Sequence, residues 1–148
     1  MKVVVAPDSF KESMTAAEAA AAISAGVRTV FPDAQCVEVP MADGGEGTTD
    51  ALVSALDGRW RMISTHDALG RPIEAGYGLT PDGLVIIEVA SAVGIGQINP
   101  DERDVLHSSS LGVADLIRDA LDNAANRFII GLGGSATTDC GAGMLAGL

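Results

Sequence analysis

The chain is poor in aromatic residues. Of 148 positions, three are Phe, one is Trp and one is Tyr, so Val, Ile, Leu and Ala must build the core. It is poor in cysteine. Cys36 and Cys140 stand far apart and form no Cys-x-x-Cys pair, which argues against a disulfide framework or a cysteine-based zinc site. Free thiols fit a reducing cytoplasm. Basic residues are also scarce: nine Lys and Arg face twenty Asp and Glu, for a formal net charge of −11. Nucleic acids are bound by neutralising phosphates with Lys and Arg, and anionic membranes attract basic segments. Neither is expected as a partner. A phosphate ligand stays open, because backbone N–H groups and a metal ion can hold one locally. No run approaches the roughly 18 apolar residues a membrane span needs. The opening "MKVVVAPDS" meets Pro7 and Asp8 too soon for a signal-peptide core.

What is present reads as one globular domain: 47% of residues are hydrophobic and 20% charged. "KVVVA" (2–6) is β-branched and stops at Pro7, as a buried strand does. Thr15 with Glu18 three residues later is a capping-box signature opening an Ala-rich helix, which Pro32 and Asp33 end. "QCVEVP" (35–40) predicts a second strand and "TTDALVSAL" (48–56) a short helix. Over about 59–90 the character is β-rich, with "RWRMIST", "IEAGYGLT" and "LVIIEVA" as strands and "TPDG" (80–83) as a turn. "SLGVADLIRDALDNA" (110–124) predicts a helix whose face is Leu111, Ala114, Leu116, Ile117, Ala120 and Leu121. "RFIIGL" (127–132) is another buried strand, and "GAGMLAGL" begins a helix. Strands alternating with helices imply an α/β fold, a parallel sheet flanked by helices, with the β-rich stretch as an insertion.

Three loops at strand ends carry the chemistry, where open parallel sheets collect ligands. In "APDSFKES" (6–13), Asp8 and Ser9 follow the first strand and Lys11 can hold an anion as a point charge. In "ADGGEGT" (42–48), Gly44 and Gly45 let the backbone approach a ligand, and Gly47 and Thr48 open a helix whose N-terminus attracts anions. Asp43 and Glu46 can ligate Mg²⁺ or take a proton from a hydroxyl. In "FIIGLGGSATTDCGAGM" (128–144), Gly131, Gly133 and Gly134 follow the strand, Ser135, Thr137 and Thr138 supply hydroxyls and Asp139 ends the loop, which reads as a cradle of amides and hydroxyls for a phosphate or carboxylate. No Gly-Lys pair follows, so this is not a Walker A loop. The spacing Gly131-x-Gly133-x-x-Ala136 imitates a dinucleotide fingerprint without its downstream acid. His66 and His107 lack partner spacing and read as structural or exposed, and Trp60 reads as packing. Glu88, at the end of an apolar strand, is a further candidate, since a buried charge there needs a partner.

At these loops the sequence resembles the bacterial glycerate kinases of the two-domain type. "APDSFKES", "FPDA", "PMADGGEGT", "ALGRPI", "IEVASAVGI", "ERD" and "GLGGSATTDCGAGM" carry the resemblance, in order, over the full 148 residues. It implies two α/β domains, one flavodoxin-like (Rossmann-like) and discontinuous, in a protein around two and a half times as long. The chain is then expected to be the N-terminal segment of that larger fold. Residues 113–117 depart from the family's Thr-Gly-Glu-Leu-Ile, Thr138 replaces a usual Asn, and Cys140 stands where Gly is common.

The resemblance implies ATP-dependent phosphorylation of D-glycerate to 2-phosphoglycerate with Mg²⁺. Asp8, Lys11 and Asp43 would be catalytic. Ser9, Gly44, Gly45, Glu46, Gly47, Thr48, Gly133, Gly134, Ser135, Thr137 and Asp139 would bind substrate or phosphate, and Asp43 and Glu46 the metal. The alternative is an inactive segment or an anion- or nucleotide-binding module that needs a C-terminal remainder. Surfaces left open by such a truncation would make the chain marginally stable or self-associating.

Overall fold

The computed structural model describes residues 1–10 and 13–148. The chain divides into two compact units, Met1–Asp43 and Gly44–Leu148.

In the first unit, strands β1 (Lys2–Val5) and β2 (Gln35–Glu38) are joined by helix α1 (Ala16–Val30). The strands pair in parallel, from Lys2 opposite Gln35 to Val5 opposite Glu38. A parallel pair needs a long crossover, and α1 supplies it. The helix begins as its sequence dictates. Thr15 Oγ1 accepts the Glu18 N–H at 3.2 Å, and Glu18 Oε2 accepts the Thr15 N–H at 2.8 Å, so two orphan donors of the first turn are satisfied reciprocally. Its buried side chains are all small: Ala16, Ala19, Ala20 and Ser24.

The second unit runs α2 (Thr48–Ala55), β3 (Arg59–His66), β4 (Pro72–Leu79), β5 (Leu84–Glu88), α3 (Val89–Val93), α4 (Leu111–Asp122), β6 (Arg127–Gly131) and α5 (Ala142–Gly147), with two 3₁₀ turns between α3 and α4. Its sheet has the order β3-β4-β5-β6. The first two pairings are antiparallel and β5–β6 is parallel. The β-rich stretch is therefore a meander that merges with the parallel pair, so this sheet is mixed. Its expected turn lies between β4 and β5, where the Gly83 N–H meets Thr80 O at 3.1 Å.

Helices cover both faces of this sheet. Tyr77 and Gly78 are neighbours on β4 and so point to opposite sides. The buried Tyr77 hydroxyl donates to Asp119 of α4 at 2.8 Å, and Arg61 of β3 clasps the same carboxylate with two N–H groups. On the other side, a Cβ at Gly78 would run into Val53 and Thr49 of α2. The core is aliphatic around that one Tyr: Val85, Ile87, Val93, Val113 and Leu116. The whole is an α/β fold of the Rossmann-like kind with a β-rich insertion.

Two local expectations change. The run "LVIIEVA" ends as a strand at Glu88, and α3 begins at Val89. The Ser91 hydroxyl donates to Glu88 O at 2.8 Å and Gly76 O at 3.0 Å, which draws the chain into a turn. On α4 the buried stripe is Val113, Leu116, Ile117 and Ala120, spaced i, i+3, i+4, i+7, with Ala114 beside it. Leu111 and Leu121 are exposed: Leu111 precedes the stripe on the solvent side, and Leu121 flanks it in the last turn.

Candidate functional site

Parallel pairing sets the carboxyl ends of β5 and β6 side by side, with Glu88 opposite Gly131. Two of the three chemistry-bearing loops meet there. The loop before α2 folds on itself: the Gly44 N–H donates to Thr48 Oγ1 at 3.1 Å, and the Thr48 N–H to Gly45 O at 3.2 Å. The loop after β6 lies against it backbone to backbone, the Gly133 N–H donating to Gly44 O at 2.9 Å. A Cβ on Gly131 would stand 2.5 Å from Gly44 O, and one on Gly133 2.6 Å from the Gly45 Cα. Neither glycine has a positive φ, so close approach alone demands glycine at both positions.

Glu88 underlies this junction. It is 6% exposed; its carboxylate accepts the backbone N–H of Thr49 and has the Gly47 N–H beside it. Burial pushes its proton affinity up, these donors pull it down, and Asp50 pushes it up again. The outcome is a carboxyl above the ordinary value of 4.5. The helix terminus that the sequence marks as an anion site thus already holds an anion, supplied by the chain itself.

Past Gly133 the loop runs along the α3 end. The Ile95 N–H meets Gly134 O, and the Ala136 N–H meets Val93 O, both at 2.8 Å. Ser135 Oγ lies 2.8 Å from Thr137 Oγ1 and accepts the Thr137 N–H at 3.0 Å. Among the described residues no acceptor takes the Gly134 or Ser135 N–H. Those two amides are left without an acceptor, and the Ser135 and Thr137 hydroxyls pair with each other beside them. Asp139 turns inward: Ser110 N–H and hydroxyl donate to it at 2.8 Å each, Gly143 N–H at 3.0 Å and Gly141 N–H at 3.1 Å. Burial works against its charge, but the Ser110, Gly143 and Gly141 donors outweigh it and hold the carboxyl below its ordinary 3.8. Asp139 therefore ties the starts of α4 and α5 to the loop.

The structure brings Gly44, Gly45, Gly47 and Thr48 together with Gly133, and Gly134, Ser135 and Thr137 continue from that contact. Glu46 is exposed. Asp8, Ser9 and Asp43 belong to the first unit. Asp8 and Asp43 are exposed, and Asp8 Oδ1 accepts the Ser9 N–H at 2.7 Å. Lys11 lies outside the described residues. No three His, Cys, Asp or Glu side chains converge to cage a metal among the described residues.

Some partners are invisible in the sequence. Ser110 links Asp139 to the Met144 N–H, which its hydroxyl accepts at 2.9 Å. His66 Nδ1 lies 3.3 Å from Asp115, and His107 Nδ1 lies 2.7 Å from Asp104; both histidines are exposed. Trp60 donates its indole N–H to Asp50 at 2.9 Å, so its packing carries a polar anchor. Among the described residues no helix is long and apolar enough to cross a membrane.

The glycerate kinase family model matches residues 3–148. The chain is 48% identical over 149 aligned residues to the glycerate 2-kinase of Escherichia coli K12, and 49% over 149 to a glycerate kinase of Haemophilus influenzae. Each alignment covers 100% of this chain and 39% of the relative. A crystal structure of a Salmonella typhimurium LT2 protein that carries the name glycerate kinase 2 superposes with a TM-score of 0.84 at 48% identity, over 100% of this chain and 40% of that one. The chain thus spans about two fifths of the length of these relatives. The fold agrees with these matches, and the chain belongs to the glycerate kinase family.

Proposed function

We propose that this chain serves the transfer of the ATP γ-phosphoryl group to the 2-hydroxyl of D-glycerate, giving 2-phosphoglycerate and ADP. The observation that carries this reading is the pair of glycine loops locked together at the ends of β5 and β6, with the Gly134 and Ser135 amides left over as anion donors. Phosphoryl transfer asks chiefly for positioning and charge neutralisation, and such a rigid cradle supplies the first.

In this reading the glycerate carboxylate or a phosphate lies on the Gly134 and Ser135 amides and the Ser135 and Thr137 hydroxyls. Lys11 adds positive charge. Asp43 or Asp8 accepts the proton of the 2-hydroxyl as its oxygen bonds to the γ-phosphorus. The bond from that phosphorus to the bridging oxygen breaks, and ADP leaves with the electron pair. The carboxylates of Asp43 and Glu46 are hard oxygen donors of the kind Mg²⁺ takes one or two of, keeping waters and phosphates for its other positions. Bound Mg²⁺ would neutralise phosphate charge. The cytoplasm is the compartment that suits two unpaired thiols, Cys36 and Cys140.

The test is a chimera in which this chain replaces the matching two fifths of the Escherichia coli enzyme. ADP release that depends on glycerate is expected, with an Asp43→Asn version slower by about a hundredfold or more. A folded but inactive chimera beside an active parent would refute the reading and leave an anion-binding module. Unchanged turnover in the Asn version would remove Asp43 from the catalytic set.

A further inference from the structure

Glu88 is a buried acidic side chain beneath the junction of the two glycine loops, and the proposed chemistry does not use it. It is too deeply buried to meet a substrate. Both of its mapped backbone donors, Gly47 and Thr49, belong to the stretch that carries Gly44 to the Gly133 N–H. Its own strand neighbour is Gly131, whose missing Cβ makes room for Gly44 O. One carboxylate thus connects the strand end, the start of α2 and the meeting point of the two glycine loops.

Burial costs the carboxylate more than its donors return, which is why its proton is held above the ordinary carboxyl range. An apolar side chain of similar volume would be a cheaper filling for that space. What a carboxylate provides and an apolar group cannot is a charged acceptor facing two N–H groups, which fixes their direction as well as their distance.

We propose that Glu88 is a positioning residue: by holding the Thr49 amide, with the Gly47 amide beside it, it sets the height of the Gly44–Thr48 loop, and so the register in which that loop meets the Gly131–Gly133 loop. The inference rests on the kinase reading only where it concerns turnover. The loop geometry it explains belongs to the second unit alone. Phosphoryl transfer is sensitive to such a setting, since a misplacement of about 1 Å can cost about a hundredfold in rate.

The experiment compares Glu88→Gln with Ile87→Val. The amide of Gln keeps the size of Glu but is uncharged and replaces one of the two acceptor oxygens with an NH₂ donor, so the grip on the facing N–H groups is weakened. Ile87 is fully buried on the same strand and is not part of either loop, so its truncation weakens the core without touching the clamp. Amide hydrogen exchange on the chain reads the loop junction at the Gly133 N–H, and the chimera reads kcat and KM for glycerate. Glu88→Gln is expected to speed Gly133 exchange by about tenfold or more beyond the β5–β6 amides. It should lower kcat by a similar factor while KM changes little. Ile87→Val should speed exchange evenly and leave kcat unchanged. If Gly133 exchange in Glu88→Gln rises only in step with the β5–β6 amides, the positioning role is overturned, whether or not the chimera turns over. If exchange rises at Gly133 but kcat holds in an active chimera, the positioning role in catalysis is overturned too. An inactive parent chimera would overturn the kinase reading and leave the exchange result to decide the clamp.

Discussion

Replacing Gly133 by Ala adds one methyl group at a place where nothing can yield. The new Cβ would stand 2.6 Å from the Gly45 Cα, 2.8 Å from the Gly45 N and 3.1 Å from the Gly44 C. All three are backbone atoms, so no rotamer change relieves the contact. Overpacking of this kind costs about 1–3 kcal/mol. The loops must separate to admit the methyl, and the Gly133 to Gly44 hydrogen bond at 2.9 Å goes with them, for about 1 kcal/mol more. The expected loss is about 2–4 kcal/mol. With a urea slope of about 1.5 kcal/mol per M, the midpoint of the second unit should fall by about 2 M. Trp60 is the chain's one tryptophan, and its indole is anchored to Asp50 on α2, so its fluorescence follows the unit that carries the lesion. Gly26→Ala is the matched comparison. Gly26 lies within α1, and a Cβ there meets nothing within 4 Å. That change should stabilise the first unit by about 0.5–1 kcal/mol, read by far-ultraviolet circular dichroism. If Gly133→Ala melts with the parent, or Gly26→Ala is as damaging, the argument from close backbone approach is wrong.

Asp139→Asn should cost about 1.5–3 kcal/mol at neutral pH, because a charged acceptor of Ser110, Gly141 and Gly143 donors is lost. Since its folded value lies below 3.8, that contribution is whole above 3.8 and disappears as pH falls through the folded value; a urea-midpoint gap to the parent that persists unchanged at the lowest pH would contradict this. Glu88 has the opposite sign. Its folded value lies above 4.5, with Asp50 as the facing charge, so its contribution is whole below 4.5 and is lost as pH rises through the folded value. The parent should lose stability over that rise relative to Glu88→Gln, and parallel midpoint-versus-pH curves would show the assignment to be wrong. Cys140 has a φ of 53°, a left-handed conformation costly for side chains other than glycine. Cys140→Val should lower the second unit's stability by about 1–2 kcal/mol, because β-branching makes this conformation harder still, and Cys140→Gly should not; equal effects would remove backbone strain as the cause.

The parts of the fold legible in the sequence are those fixed by near neighbours. Thr15 and Glu18 are three residues apart, so the start of α1 can be read directly, as can the β-branched strands and the "TPDG" turn. The two glycine loops are legible as chemistry because their composition is odd in itself. What the sequence could not give was how they meet, because Gly44 and Gly133 touch through backbone atoms that no residue type encodes. The end of β5 was missed for a similar reason. Val89 and Ala90 continue the apolar pattern, and only the bonds of Ser91 to Glu88 O and Gly76 O decide that the chain turns. His66 looked unpartnered because Asp115 lies 49 residues away. Asp139 was legible as a polar residue in a polar loop, but its donors arrive from Ser110, 29 residues earlier, as well as from its own turn.

The bond between Gly133 and Gly44 also bears on how a ligand would be received. Two free glycine-rich loops would each have to be ordered at the moment of encounter, and that entropy would be subtracted from affinity. Here the chain has already met that cost during folding, so on the reading proposed above an anion arriving at Gly134 and Ser135 would find a surface with little freedom left to lose. The same economy has a reverse side. Anything that unfastens the junction, such as a methyl group at Gly133, would return the ordering cost to the binding step and weaken affinity without altering a single atom that the ligand touches.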